Sequence, residues 1–158
     1  MTRIRVGILT LQVAVILAAC ALATVAPSSF VPKDETLDQL IVRADSARLE
    51  DRPALYLEIA RQKAETADHL YQAGNADAGN AALQDVLNFS RKATQSSIET
   101  GKRLKNTEIG LRKMVEKFRD LKRSVAFEDQ APIQQTMDEL EKMRTDLLSA
   151  MFGKKKNK

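Results

Sequence analysis

The sequence predicts an all-α protein, and three observations favour this class. Beyond residue 34, apolar residues recur at spacings of three and four, the period of a helix that buries one face. Neither a sustained two-residue alternation nor a β-branched run marks a strand. Aromatic residues make up 4% of the 158 residues and charged residues 29%, as in helical proteins. We expect an elongated helical bundle, in which an N-terminal three-helix packing and a C-terminal helical hairpin share one long central helix.

The start of the chain has the composition of a bacterial export signal. Arg3 and Arg5 form a basic start, and an apolar stretch over residues 6–26 leads to Pro27. This order is typical of secretory signal peptides. Cleavage after Ala23 is the expected outcome, and it places the protein in the periplasm or cell envelope. The resulting segments are a signal peptide over 1–23, a linker over 24–33, a helical domain over 34–152 and a basic tail over 153–158.

Three other fates of the leader remain open. Leu17-Ala18-Ala19-Cys20 resembles the bacterial lipobox, in which a Leu and two small residues precede a Cys that receives diacylglycerol. Cleavage before Cys20 would therefore anchor the chain to a membrane as a lipoprotein. A cut after Ala26 also fits the spacing of small residues, although the Pro27 that follows is unfavourable for a peptidase. An uncleaved apolar stretch would span roughly 30 Å, the thickness of a bilayer core.

Four helices are predicted beyond the leader, near residues 35–49, 52–73, 76–126 and 131–151. Asp34 and Asp51 are the expected caps of the first two helices, because their carboxylates can accept hydrogen bonds from free backbone N–H groups. Pro53 suits the first turn of the second helix, where its missing N–H costs little. Gly153 is expected to end the last helix.

The second and third helices are expected to form an antiparallel hairpin around Gly74-Asn75. Both residues tolerate the left-handed conformation that ends helices. The two facing sides are rich in Ala, and their members recur at steps of three and four. These positions are Tyr56, Ile59, Ala60, Ala64 and Ala67 on the second helix, and Ala78, Ala82, Val86, Phe89 and Ala93 on the third.

Over about residues 52–93, this hairpin resembles a tetratricopeptide unit. The matching residues are Gly74-Asn75 in the turn, Ala78 shortly after it, and Leu83 and Val86 on the second helix of the pair. The resemblance implies a peptide-binding or scaffold role. The chain departs from the pattern at Lys63, Thr66 and Gly79, and no second copy follows at a fixed spacing.

A heptad seam marks the second half of the predicted central helix. The seam residues are Leu104, Leu111, Phe118 and Val125, which repeat every seven residues. This period is that of coiled-coil packing, here against the final helix. Thr100-Gly101 and Asn106-Thr107 weaken the middle of the helix, but no Pro interrupts it. We therefore expect one continuous helix over 76–126, bent around 101–107.

Charge is sorted along the chain into three blocks. Residues 34–85 carry a net charge of −6, residues 91–123 carry +7 and residues 128–146 carry −4. The favoured interpretation is a basic helix that packs between acidic helices and that sets their register. An alternative is a nucleic-acid or anionic-surface binder that uses the basic block. Its cations are Arg91, Lys92, Lys102, Arg103, Lys105, Arg112, Lys113, Lys117, Arg119, Lys122 and Arg123.

The residues available for chemistry are few. His69 is the only His and Cys20 the only Cys, so a disulfide within the chain is impossible and a Cys/His metal site lacks ligands. We expect no catalytic residue, metal or cofactor, and no nucleic-acid partner, because the chain is exported and lacks an aromatic stacking platform. The expected function is a non-catalytic binding or structural module of the cell envelope with an unidentified protein partner. The alternative is a membrane-tethered adaptor held through Cys20 or an uncleaved leader.

Overall fold

The computed structural model describes residues 36–153. Their helices are α1 (Leu37–Ser46), α2 (Arg52–Gln72), α3 (Ala76–Thr100), α4 (Leu104–Ser124), a 3₁₀ turn (Phe127–Asp129) and α5 (Gln130–Phe152). Within this range there is no β-strand, and the predicted all-α class and helical bundle are confirmed. The predicted signal peptide, the lipidation candidate Cys20, the linker and the basic tail from Lys154 onward lie outside the described residues.

A capping box begins α1. The Gln39 backbone N–H donates to Thr36 Oγ1 (3.4 Å), and the Thr36 N–H donates to Gln39 Oε1 (3.1 Å), so each residue satisfies a free N–H of the other. The expected cap, Asp34, lies outside the described residues. The helix ends at Ser46, three residues before the predicted end, because Ala47 has an extended backbone.

At the start of α2, one predicted cap is wrong. The Asp51 side chain makes no capping hydrogen bond to α2. Its carboxylate instead accepts a hydrogen bond from Arg48 Nε (3.2 Å), which closes the turn between α1 and α2. Pro53 lies in the first turn of α2, as predicted, and is buried.

The predicted antiparallel hairpin of α2 and α3 is confirmed. Gly74 takes a φ of 74°, and the Asn75 side chain caps α3 by accepting from the Ala78 N–H (3.3 Å). Close to the turn, a Cβ added at Gly79 would lie 2.8 Å from the Tyr71 ring. Gly79 thus provides the room for this buried ring, whose hydroxyl donates to Asn80 Oδ1 (2.6 Å).

The predicted continuous helix over 76–126 is wrong, because the chain reverses direction at Gly101. This residue takes a left-handed backbone (φ 65°) just past α3, and Arg103 takes another (φ 57°) just before α4. A left-handed residue cannot continue a right-handed helix, and Gly adopts this conformation without steric cost. After the reversal, the buried hydroxyls of Ser97 and Thr107 share a hydrogen bond of 2.8 Å across the two helices.

The five helices pack as an N-terminal group of three and a C-terminal hairpin. α1 packs on α2, α2 packs mainly against α3, and α4 packs mainly against α5. Contacts of α3 with α5 and of α2 with α4 join the two groups around one core. The heptad seam faces this core, since Leu111 and Phe118 are fully buried. The two outer seam residues, Leu104 and Val125, are half-buried at the ends of α4.

α1 is held in place by a polar cluster around Tyr56. The Tyr56 hydroxyl donates to Asp45 Oδ1 (2.8 Å) at the end of α1. Lys92 Nζ lies 5.2 Å from the centre of the Tyr56 ring and 3.6 Å from the same Asp45 oxygen. Burial raises the pKa of Tyr56, and its hydrogen bond to Asp45 raises it further. Burial also raises the pKa of Tyr71, with a smaller contribution from the negative charge of Asp129.

The first prediction concerns the chain reversal. We expect Gly101→Ala to lower the free energy of unfolding by about 1 kcal/mol, because a Cβ disfavours the left-handed backbone. The measurement is urea denaturation followed by circular dichroism. Gly153→Ala is the matched control: Gly153 has a right-handed backbone with open space around it, so its replacement should change stability by less than about 0.5 kcal/mol. A G101A variant as stable as the parent would contradict the role of Gly101.

The second prediction concerns alkaline pH. The folded state holds the tyrosine protons more tightly than the unfolded chain, because both pKa values are raised above the ordinary 10.0. This contribution to stability is complete below pH 10.0 and is lost as the pH rises through the raised values. Urea denaturation at a series of alkaline pH values should show the loss, and Tyr56→Phe should reduce its steepness. A free energy of unfolding that is constant through this range would contradict the prediction.

Candidate interaction surface on helix α4

Helix α4 buries its apolar residues against the core and exposes several cations. Its inner side carries the heptad seam, and the residue after each of the first three seam positions is a cation: Lys105, Arg112 and Arg119. These three residues, here called the basic row, are exposed. Their seven-residue spacing keeps them close to one line along the helix, with neighbouring Cα atoms roughly 10 Å apart.

Other cations of the basic block form ion pairs between helices. Lys117 Nζ on α4 lies 2.5 Å from Glu65 Oε2 and 3.1 Å from Asp68 Oδ2 on α2. Burial opposes the charged form of Lys117, but the hydrogen bonds and charges of Glu65 and Asp68 outweigh it and raise the pKa of Lys117. Arg91 similarly pairs with Glu139 on α5 (3.5 Å). These contacts agree with the interpretation of a basic segment that packs between acidic helices.

In one ion pair between α4 and α5, the acid lies on α4 and the cation on α5. This pair is more buried than the pairs of Lys117 and Arg91. Arg144 on α5 donates from Nε (3.1 Å) and Nη2 (2.7 Å) to Glu108 Oε1 on α4. The Arg144 side chain is 18% exposed and that of Glu108 is 12% exposed. Arg144 Nη1 also donates to Glu141 Oε2 (2.6 Å). This cluster fixes the register of the C-terminal hairpin, because a charge left alone at this depth would be poorly solvated.

The remaining cations of α4 and of the turn before it point to solvent. They are Lys102, Arg103, Lys105, Arg112, Lys113 and Arg119. None of their side chains makes an ion pair or a hydrogen bond with the described part of the chain. Among the neighbouring acids, Glu116 is exposed and Asp120 pairs with Arg123 (3.2 Å). The outer side of α4 is therefore positively charged.

The basic row ends near an exposed aromatic residue. Phe127 lies in the 3₁₀ turn after α4 and is 86% exposed. Two adjoining depressions between α4 and α5 connect it to the row: both are lined by Lys122 and Gln134, one also by Phe127 and the other by Arg119. Lys122 Nζ donates to Gln134 Oε1 (2.8 Å). The cation Lys122 and the acid Glu128 thus both lie beside the aromatic ring at this end of the bundle.

Two further clefts lie away from this surface. The first, of about 270 Å³, lies between α2 and the start of α4, with Arg61 and Arg103 in its walls. The second is a groove of about 510 Å³ between α3 and α5, lined by Ile98 and Met143. Thr94 borders this groove, but its hydroxyl oxygen is buried and has no hydrogen-bond partner between Thr36 and Gly153.

The remaining candidate residues from the sequence stay apart. His69 is exposed in the last turn of α2. Between Thr36 and Gly153, no group of three or more His, Cys, Asp or Glu side chains is arranged to hold a metal ion. None of the helices in that range is long and apolar enough to cross a bilayer.

Comparisons with protein families, with curated proteins and with solved structures gave no match to this chain. The candidate surface is therefore defined by its own geometry. Every cation of the basic row was identified from the sequence, but the row was not separated from the paired cations, and Phe127 was missed. The sequence signal for the row is that a cation directly follows each of the first three seam residues, as in Leu111-Arg112 and Phe118-Arg119.

The third prediction concerns the buried ion pair. We expect Glu108→Ala to lower the free energy of unfolding by about 2 kcal/mol, between the small effect of exposed pairs and the larger effect of fully buried ones. The reason is that the Arg144 guanidinium would lose its interhelical partner. Urea denaturation measures the change, and Glu116→Ala on the exposed side of the same helix is the control, with an expected change below about 0.5 kcal/mol. Equal effects of the two variants would show that the pair adds nothing to stability.

Proposed function

We propose that the protein is an exported bacterial envelope protein that acts as a non-catalytic binding module, and that α4 presents its binding surface. The observation that carries this proposal is the set of exposed cations on α4 and its preceding turn that have no acidic partner within residues 36–153. Lys117, Arg91 and Arg144 form ion pairs between helices, whereas the side chains of Lys105, Arg112 and Arg119 form no ion pair or hydrogen bond with the described residues. Such a set of cations favours an anionic partner.

The leader supports the cellular location in this proposal. Its basic start, apolar centre and small residues before position 24 are the features that export machinery recognises. We propose cleavage after Ala23 and release of the mature chain into the periplasm. The partner is then an anionic component of the envelope, such as an acidic protein or a lipid surface, rather than a nucleic acid.

A second candidate is a membrane-tethered adaptor, which the lipobox-like Leu17-Ala18-Ala19-Cys20 favours. Diacylglycerol on Cys20 would hold the chain at a membrane, with the helical domain as the part that binds. The resemblance of the α2–α3 hairpin to a tetratricopeptide unit supports an adaptor or scaffold role of this kind. Both candidates use the same bundle, and they differ in the mature N-terminus.

The fourth prediction separates these candidates by the mass of the mature chain. We expect the protein purified from the envelope fraction of its native host to begin at Thr24 with a free amino group. A chain that begins at a lipid-modified Cys20 would instead establish the tethered form, and Cys20→Ser should then abolish the modification. An intact chain that begins at Met1 and remains in the cytosol would overturn the proposed export.

A further inference from the structure

We propose that the basic row of α4 and the Phe127 side chain form one surface that lies against an anionic lipid bilayer. The inference rests on the proposed function, because export is what brings the chain to an envelope membrane. It goes further by naming the partner as a lipid surface and by naming the residues that touch it. Lys105, Arg112 and Arg119 would contact phosphate groups, and Phe127 would enter the interface.

The charge of the row fits a lipid headgroup layer. The three cations face outward along two successive intervals of roughly 10 Å, so they contact a flat anionic layer together rather than one small ligand. Because no acid of the described chain pairs with them, they lose no internal contact on binding. Lys102 and Lys113 extend the positive surface on the same helix and its preceding turn.

Phe127 is the observation that favours a bilayer over a soluble polyanion. The Phe127 side chain is 86% exposed, and it lies beside Lys122 and the acidic Glu128, so an apolar ring and charged groups meet at one point. Aromatic residues are enriched at the boundary between headgroups and acyl chains, where an apolar ring and neighbouring charges are both accommodated. A nucleic acid would instead favour several aromatic platforms for base stacking.

The chain length before the bundle is compatible with this contact for both candidates of the mature N-terminus. Fifteen residues separate Cys20 from Thr36, and a chain of this length reaches at most about 50 Å when extended. A lipid on Cys20 would thus keep Thr36 within about 50 Å of the bilayer. In a chain cut after Ala23, the same surface would bind the membrane reversibly through charge and Phe127 alone.

The test uses Trp as a local probe, because the natural chain contains no Trp. In the mature chain that begins at Thr24 and carries Phe127→Trp, we expect the emission to shift to shorter wavelength with vesicles of equal parts phosphatidylglycerol and phosphatidylcholine. Phosphatidylcholine vesicles alone should leave the emission unchanged.

Adding K105Q/R112Q/R119Q to the probe variant should weaken partitioning into the anionic vesicles about 100-fold, a factor of roughly five for each cation. Raising the salt from about 0.1 M to 1 M should also suppress the shift, because the Debye length falls from about 10 Å to 3 Å.

Two controls match the probe and the charge change. Val42→Trp places the same fluorophore on α1, where Val42 is 69% exposed, and its emission should not respond to vesicles. R48Q/R61Q/K142Q removes three exposed cations elsewhere in the bundle, none of which forms an ion pair between helices within the described residues, and it should leave partitioning within a few-fold of the parent. Circular dichroism of every variant verifies that the helices are retained, and equal losses from the two triple variants would overturn the assignment to α4.

Failure of this inference is distinguishable from failure of the proposed function. An exported chain whose Phe127→Trp probe ignores anionic vesicles, or responds only to a soluble polyanion such as DNA, overturns the bilayer surface and leaves the envelope binding module intact. An unprocessed chain confined to the cytosol overturns the proposed function and the bilayer surface together. A shift that appears only with anionic vesicles and is lost in K105Q/R112Q/R119Q supports the bilayer surface, whereas export is tested by the mass of the mature chain.

Discussion

The reversal of the chain at Gly101 determines the rest of the arrangement. A continuous helix would carry the heptad seam away from α2, and α4 could not reach Glu65 and Asp68 with Lys117. Instead, the left-handed backbone at Gly101 and Arg103 turns α4 back beside α2. The hydrogen bond between Ser97 and Thr107 then satisfies two hydroxyls that this turn buries, because neither could reach water.

The ion pairs of the bundle contribute more to packing the more deeply they are buried. Arg144 and Glu108 are largely screened from solvent between α4 and α5, so their pairing counts more than that of exposed residues. Arg91 and Glu139 lie farther out, and their pair orients α3 and α5 more than it stabilises them. The basic row lies farther out again, and none of its side chains pairs with an acid of the described residues. One basic block thus supplies cations to ion pairs between helices on its inner side and exposed cations on its outer side.

The sequence predicted the buried positions better than the path of the chain. Leu111 and Phe118 were assigned to the core from a seven-residue period, which depends only on local geometry, and both are fully buried. The break after Thr100 was visible as a Gly, but a Gly within a helix and a Gly that ends one look alike in sequence. A Gly ends a helix when the segment after it gains more free energy by folding back than by continuing the helix. Here that gain comes from contacts with α2, which is distant in the chain. The cap at Asp51 failed for a similar reason, because Arg48 competes for its carboxylate.

The candidate surface was only half predictable, because a sequence shows charges but not their partners. Lys117 and Arg119 are two residues apart, yet one faces acids of α2 and the other faces solvent, since successive residues of a helix diverge by about 100°. The period that places Phe118 in the core therefore also places Arg119 outside, and the same holds for Leu111 and Arg112. Any change that moved the seam would rotate the cations with it. The outward position of the basic row is in this sense a consequence of core packing, and it persists as long as α4 keeps its register against α5.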